Sequence, residues 1–157
     1  MITVVDAGPR KVSRAADVQA PAAALFELVA DPHRHAELDG SGTVLGTAEG
    51  PHQLTKDAKF SVRMKQYGVP YRITSHVTDL QDGRVVEWQH PLGHRWRWEF
   101  IPLAEGSTRV TETFDYSHIS SASAKGLEVF GFPAKNAKGI ESTLRQLQER
   151  HSGGAGS

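Results

Sequence analysis

The stretch EWQHPLGHRWRWEF, residues 87–100, decides how this chain folds. It holds every tryptophan of the protein, Trp88, Trp96 and Trp98, and two of its eight histidines, His90 and His94. Its centre, His90-Pro91-Leu92-Gly93-His94, has the chemistry of a three-residue hairpin loop. Pro91 suits the first corner of a type I turn, and Gly93 suits the left-handed position that follows. That register sets His90 opposite His94, Trp88 opposite Trp96 and Val86 opposite Trp98. Side chains alternate along a strand, so the indoles share one face with Val86 and Phe100. Arg95, Arg97 and Glu99 take the other.

The neighbouring turns extend the same face. Ala104-Glu105-Gly106 repeats the three-residue chemistry. It pairs Phe100 with Val110, Trp98 with Glu112, Trp96 with Phe114 and His94 with Tyr116. Asp82-Gly83 reads as a two-residue turn that pairs Val77 with Trp88 and Ser75 with His90. A two-residue turn at Gly68-Val69 pairs Met64 with Ile73, Val62 with Ser75 and Phe60 with Val77. Each register is read from its own glycine, and all of them agree. Phe60, Val62, Met64, Tyr71, Ile73, Val77, Val110, Phe114 and Tyr116 join the indoles on a covered face. Arg63, Lys65, Arg72, Thr74, Thr78, Arg109, Thr111, Thr113 and Asp115 join the charged residues on a water-facing one.

Outside this block, residues 11–20 read as a first strand with Val12, Arg14, Ala16 and Val18 on one face. A helix over 21–31 opens at Pro21 and stops before Pro32. PHRHAELDG, 32–40, reads as a second short helix. Strands are expected at 43–49, 57–67, 70–79, 84–90, 94–103 and 107–117. The chain closes with a helical piece over 123–130, a break at GFP (131–133), and a long helix over 134–151. Ala137, Ile140, Leu144 and Leu147 form one apolar stripe on that helix. The pattern is α+β: seven antiparallel strands, two short helices after strand 1, and one long C-terminal helix. Residues 1–151 read as a single domain and 152–157 as a flexible tail. One helix is about 10 Å across, whereas a seven-stranded sheet is about 30 Å wide. The sheet must therefore curl around the helix, and curling leaves apolar space between them.

Composition narrows the possible functions. The 157 residues carry 18 basic and 18 acidic side chains, with no net charge. This argues against a broad nucleic-acid footprint. There is no cysteine, which removes disulfides, thiolate metal sites and thiol nucleophiles. The N-terminal residues lack a long apolar run, so neither a signal peptide nor stable membrane insertion is expected, and a cytoplasmic setting is the default. No serine sits in a nucleophile elbow, and no glycine-rich phosphate loop is present.

VQAPAAALFELVADPHRHAELDGSG (18–42), WQHP (88–91), RVTETFDYS (109–117) and GFPAKNAKGIESTLRQLQE (131–149) together resemble the START-like helix-grip superfamily. The likeness is to its polyketide cyclase/dehydrase and lipid-transport type, the actinobacterial branch in particular. It covers the chain from Lys11 to about Arg150. The resemblance implies a curved seven-stranded antiparallel sheet wrapped around the long helix, the first strand beside the last, and a hydrophobic cavity. It implies no particular reaction, because the superfamily includes enzymes and pure binders and shares no universal catalytic motif.

The candidate ligand-binding residues are Met64, Tyr71, Ile73, Trp88, His90, His94, Trp96, Trp98, Glu112, Phe114, Tyr116 and Phe130. The indoles serve either as pocket wall or as plain core. His90 and His94 would need a third ligand to hold a metal, and only Tyr116 and Ser75 share their face. They read as polar residues at the cavity rim, and neither a metal nor a cofactor is expected. His33 and His35 read as surface residues, with His35 a candidate for an entrance. Asp39 and Ser41 could meet a ligand's polar head, although helix termination at Gly40 accounts for that stretch without function. Glu112 falls among Trp98, Val110 and Phe114. A lone buried carboxylate would have a raised pKa suited to a general acid or base. It would alternatively pair with Arg14, or stay solvated near a sheet edge. The expected function is binding, and possibly transport, of a hydrophobic or aromatic small molecule such as a lipid or polyketide, by a monomer or homodimer. The alternatives are a cyclase or dehydratase using Glu112 or a cavity histidine, and a protein-interaction module with a filled interior.

Overall fold

The computed structural model describes residues 2–38, 44–66 and 68–152; Asp39, Gly40 and Ser41 of the sequence reading lie outside them. The fold is α+β. Eight strands form one antiparallel sheet: β1 (Ile2–Val5), β2 (Lys11–Val18), β3 (Val44–Glu49), β4 (Lys59–Gln66), β5 (Val69–Gln81), β6 (Val85–Gln89), β7 (Arg95–Pro102) and β8 (Thr108–Asp115). Their spatial order is β1-β2-β8-β7-β6-β5-β4-β3. Helix α1 (Ala22–Val29), a 3-10 turn (Pro32–Arg34) and α2 (His35–Leu38) follow β2, while α3 (Ser121–Val129) and α4 (Phe132–Ser152) end the chain.

The sheet has one strand more than expected. Strand β1 is four residues long with its middle pair exposed, so no buried alternation marks it in the sequence. Backbone pairing with β2, from Ile2 against Ala16 to Val5 against Ser13, holds it at the edge. The β6–β7 hairpin has the expected register: Trp88 faces Trp96, and Val86 faces Trp98. The His90 N–H donates to the His94 carbonyl at 2.8 Å, and Gly93 takes φ +104°. The β7–β8 pairs, Trp98 with Glu112 and Phe100 with Val110, also fall as expected.

Two other turns differ. Asp82-Gly83 is part of a three-residue turn closed by Arg84 N–H donating to the Gln81 carbonyl at 2.9 Å. Gln81 therefore pairs with Val85 and Asp79 with Glu87. A register shift between Val77 and Asp79 then restores Val77 opposite Trp88. A bulge absorbs one residue in this way. At the β4–β5 turn, Gly68 takes the second loop position rather than the first, so Gln66 pairs with Val69. Met64 then meets Tyr71, Val62 meets Ile73 and Phe60 meets Ser75. This is a slip of two residues from the expected pairs, and an even slip leaves every side chain on its face. Phe60, Val62, Val77, Val86, Trp98, Phe100, Val110, Phe114 and Tyr116 are accordingly all buried.

The apolar stripe of α4, Ala137, Ile140, Leu144 and Leu147, is buried as expected. The stretch before it enters a helix earlier than expected, because Ser120 accepts the Ser123 N–H and caps α3. Gly131, at φ +76°, separates α3 from α4. At one end of the sheet, Leu25, Phe26, Leu28 and Val29 of α1 join Val18, Phe100 and Val110 in a solid core. Phe26 meets the edge of Phe100 there at 6.2 Å.

The outer face is less open than the alternation suggests. Ser13, Glu87, Thr113 and Asp115 are buried on it, beneath a polar depression whose walls include Ala7 and His118. Arg97 reaches Asp79 at 3.0 Å and Glu87 at 3.2 Å, while Ser13 and Thr113 share a hydroxyl hydrogen bond of 2.8 Å.

Gly50 ends β3 at φ +125°, and a Cβ there would stand 3.0 Å from both the Lys59 carbonyl and the Phe60 Cβ. Gly50→Ala combines a disfavoured backbone with a backbone clash and is expected to destabilise by about 2 kcal/mol. Gly126 sits in α3, and among the described residues nothing comes within 4 Å of where its Cβ would stand. Gly126→Ala should therefore be neutral or slightly stabilising. Thermal denaturation of the two variants side by side checks this; equal midpoints would refute it.

Candidate functional site

Strand β7 runs from the loop end of the hairpin toward the solid core, and its indoles follow that path. Trp98 is 1 % exposed, whereas Trp88 and Trp96 are only partly buried. They stand over a hollow of about 500 Å³ between the sheet and α4. The sheet side of its wall comes from Met64 on β4, Tyr71 and Ile73 on β5, Trp88, Trp96 and Trp98 on the hairpin, and Glu112 and Phe114 on β8. His90 and His94 line it at the hairpin end. Leu127 of α3 and Phe132, Asn136, Gly139 and Thr143 of α4 close the other side. Leu92 and Phe132 belong to the lining yet stay exposed, at 72 % and 37 %, which marks where the hollow opens.

Two of the expected residues lie elsewhere. Tyr116 is buried against Phe114, with ring centroids 5.4 Å apart, and its hydroxyl donates to Glu128 at 3.4 Å. It supports the wall without lining it. Phe130 is 81 % exposed at the end of α3. The turn at Gly131 reverses which aromatic faces inward, so Phe132 takes the place expected for Phe130. The helix side of the wall was missed, although a signal for it exists. Phe132, Asn136, Gly139 and Thr143 recur at spacings of four, three and four beside the apolar stripe, and so form a second face of the same helix.

His35 is not a surface residue, and it joins the lining of the hollow, for which the sequence makes it a candidate at the entrance. It is 7 % exposed, lies 2.8 Å from the Val29 carbonyl through Nε2, and stacks on Trp88 at 5.0 Å. The Asp31-capped 3-10 turn rotates α2 so that His35 points inward while His33 stays near the surface. A strict alternation of surface residues does not anticipate this.

His90 and His94 stack with centroids 4.2 Å apart. Leu92 N–H donates to His90 Nδ1 at 3.1 Å, so the proton of the neutral His90 ring sits on Nε2. Burial pushes the His90 pKa down. Burial also pushes His94 down, to about 4, with the neighbouring His90 adding to the effect. Both rings are therefore neutral at pH 7. His94 Nδ1 and Trp98 Nε1 are buried and have no hydrogen-bond partner among the described residues. An unmet buried polar atom costs about 1–3 kcal/mol.

Glu112 is 7 % exposed and lines the hollow. Arg14 stands directly opposite it in the β2–β8 register. Arg14 also reaches across to the long helix. Arg14 Nε bonds Glu141 Oε2 of α4 at 2.9 Å, and the same guanidinium donates to the Ser13 carbonyl. Helix α4 packs across β2 and so brings the Glu141 carboxylate within reach of Arg14.

Among the described residues, no helix is long and apolar enough to cross a membrane. Comparison with known proteins places the chain among similar folds. The uncharacterized protein Rv0088 of Mycobacterium tuberculosis (strain ATCC 25618 / H37Rv) is 57 % identical over 156 residues, spanning 98 % of this chain and 69 % of that protein. A crystal structure of a Rhodobacter sphaeroides protein aligns with a TM-score of 0.72 at 15 % identity, covering 96 % of this chain and 97 % of the other. The solution structure of the Polyketide_cyc-like protein Cgl2372 from Corynebacterium glutamicum aligns at 0.64 and 20 % identity, covering 92 % and 93 %. Residues 9–151 match the family described as polyketide cyclase / dehydrase and lipid transport. The sheet that grips α4 and the match over those residues together make this chain a member of that family.

Proposed function

We propose that this protein binds a hydrophobic or aromatic small molecule, such as a lipid or polyketide, in the hollow between sheet and α4, and that it does so in the cytoplasm. One observation carries this reading. The hollow is walled mainly by aromatic and aliphatic side chains, with a few polar side chains, Glu112, His90 and His94, among its lining. Apolar walls with a few placed polar groups are what a ligand site needs. Burial of ligand surface supplies the affinity, at about 25 cal/mol per Å² before the costs of ordering. Glu112, His90 and His94 then orient the ligand.

A second reading, catalysis of a cyclase or dehydratase type, is favoured by a buried carboxylate, Glu112, and two neutral imidazoles that line the same hollow. A general acid or base needs that kind of setting. The interaction-module reading requires a filled interior, and a hollow of this size weighs against it.

Titration with an apolar fluorescent probe separates these. Saturable binding that Trp96→Ala weakens about tenfold supports a ligand site; absence of binding would refute it. Glu112→Gln should leave probe affinity within about twofold under the binding reading. Loss of turnover of a polyketide substrate in the same variant, with probe binding kept, would favour the catalytic one.

A further inference from the structure

Outside the hollow, Asp31, His33 and His52 each offer one ligating atom, and these atoms lie within 4.8 Å of one another. They come from two chain segments, and both segments are pinned. Asp31 caps the 3-10 turn. Pro32, between the two ligands on that turn, is buried, and its ring fixes the backbone there. Asp31 Oδ1 accepts the His33 backbone N–H at 3.0 Å. Its Oδ2 faces His52, whose Nδ1 lies 3.3 Å away.

His52 rides on the loop between β3 and β4. Gly50 anchors one end of that loop through its tight fit against β4. Leu54 anchors the other: it is 1 % exposed and donates its N–H to the Ala30 carbonyl at 2.8 Å. The two imidazoles stack at 4.0 Å, inclined by 20°.

The tautomer of His33 adds to this. Its Nε2 lies 2.8 Å from the Gly50 carbonyl. A carbonyl can only accept, so Nε2 carries the proton and Nδ1 keeps its lone pair. One nitrogen donating to a backbone carbonyl while the other stays bare is the usual state of a metal-bound histidine.

We propose that Asp31, His33 and His52 bind a divalent transition metal such as Zn²⁺. Two imidazoles and one carboxylate suit Zn²⁺, Ni²⁺ or Cu²⁺, whereas Ca²⁺ and Mg²⁺ demand oxygen ligands. The His52 side chain is 77 % exposed, so it can turn to meet the ion, and water completes the coordination. The metal would tie the end of α1 to the β3–β4 loop. It would also stiffen the turn that carries His35 into the wall of the hollow. The site stands on its own residues and does not depend on what the hollow binds.

Calorimetric titration of the full chain with ZnCl₂ at pH 7.5 tests this. Saturable one-to-one binding is expected, with a rise in thermal midpoint and no comparable response to Mg²⁺ or Ca²⁺. His52→Ala removes an exposed ligand. Asp31→Asn removes the anionic ligand but keeps an oxygen to cap the turn. Each should weaken binding at least about tenfold, with the circular dichroism unchanged. His118→Ala, at another exposed histidine beside a carboxylate, should leave it unchanged. No saturable Zn²⁺ binding would overturn the site, as would undiminished affinity in His52→Ala or a loss confined to His118→Ala.

Discussion

Replacing Leu144 by alanine is expected to lower folding stability by about 3 kcal/mol. Leu144 is fully buried at the centre of the α4 stripe, flanked by Ile140 and Leu147. The grip depends on this stripe, which faces the sheet through β2 and β8. Truncation removes the transfer free energy of three carbon atoms and leaves a void that the surrounding strands cannot close, since they are fixed by pairing on both sides. Leu92→Ala provides the contrast. Leu92 lines the hollow but is 72 % exposed, so its loss should change stability by no more than about 0.5 kcal/mol. Urea unfolding of both variants checks the pair, with the slope unchanged and only the midpoint moving. Equal midpoints would mean that α4 does not carry the fold.

Acid sensitivity should be nearly as large, and its main source is His94. His94 ionises at about 4 in the folded protein because burial and the stacked His90 disfavour its cation. An exposed histidine ionises near 6.5. Above pH 6.5 both folded and unfolded chains hold the ring neutral, and it makes no difference to stability. As the pH falls from 6.5 toward 4, the unfolded chain takes up the proton and the folded chain does not. Stability is lost across that window at about 1.4 kcal/mol per pH unit, a total of about 3 kcal/mol. His90 is pushed the same way and adds to the slope. His94→Gln keeps a polar side chain but cannot titrate. The difference in unfolding free energy between wild type and this variant, measured from pH 7.5 to 4.5, should stay flat down to about pH 6.5 and then grow in the variant's favour. A constant difference would refute the assignment.

The central hairpin was legible in the sequence because its turn chemistry is unambiguous. Pro91 and Gly93 each fit one position of one loop type, so the pairs Trp88–Trp96 and Val86–Trp98 follow. Gly68 fits either loop position of a two-residue turn, and the pairing it suggested was two residues off. The faces survived only because the slip was even. Strand β1 left no trace, since an edge strand held by backbone bonds needs no apolar alternation. In the hollow, the sheet residues could be read from alternation. The helix residues depend on where Gly131 breaks the chain, which alternation does not reveal, and that break puts Phe132 rather than Phe130 in the wall. The partner of Arg14 was hidden for a related reason. Strand register fixes who stands opposite whom, but not which helix carboxylate arrives overhead.

The solid core under α1 and the hollow under the hairpin occupy opposite ends of one sheet. Leu25, Phe26, Phe100 and Val110 interlock at the first end, and Met64, Tyr71, Trp96 and Phe132 surround space at the second. Substitutions at well-separated positions act almost independently. The lining can thus drift toward new molecular shapes while the distant core keeps the architecture intact, so one scaffold can diversify without first surrendering its ability to fold.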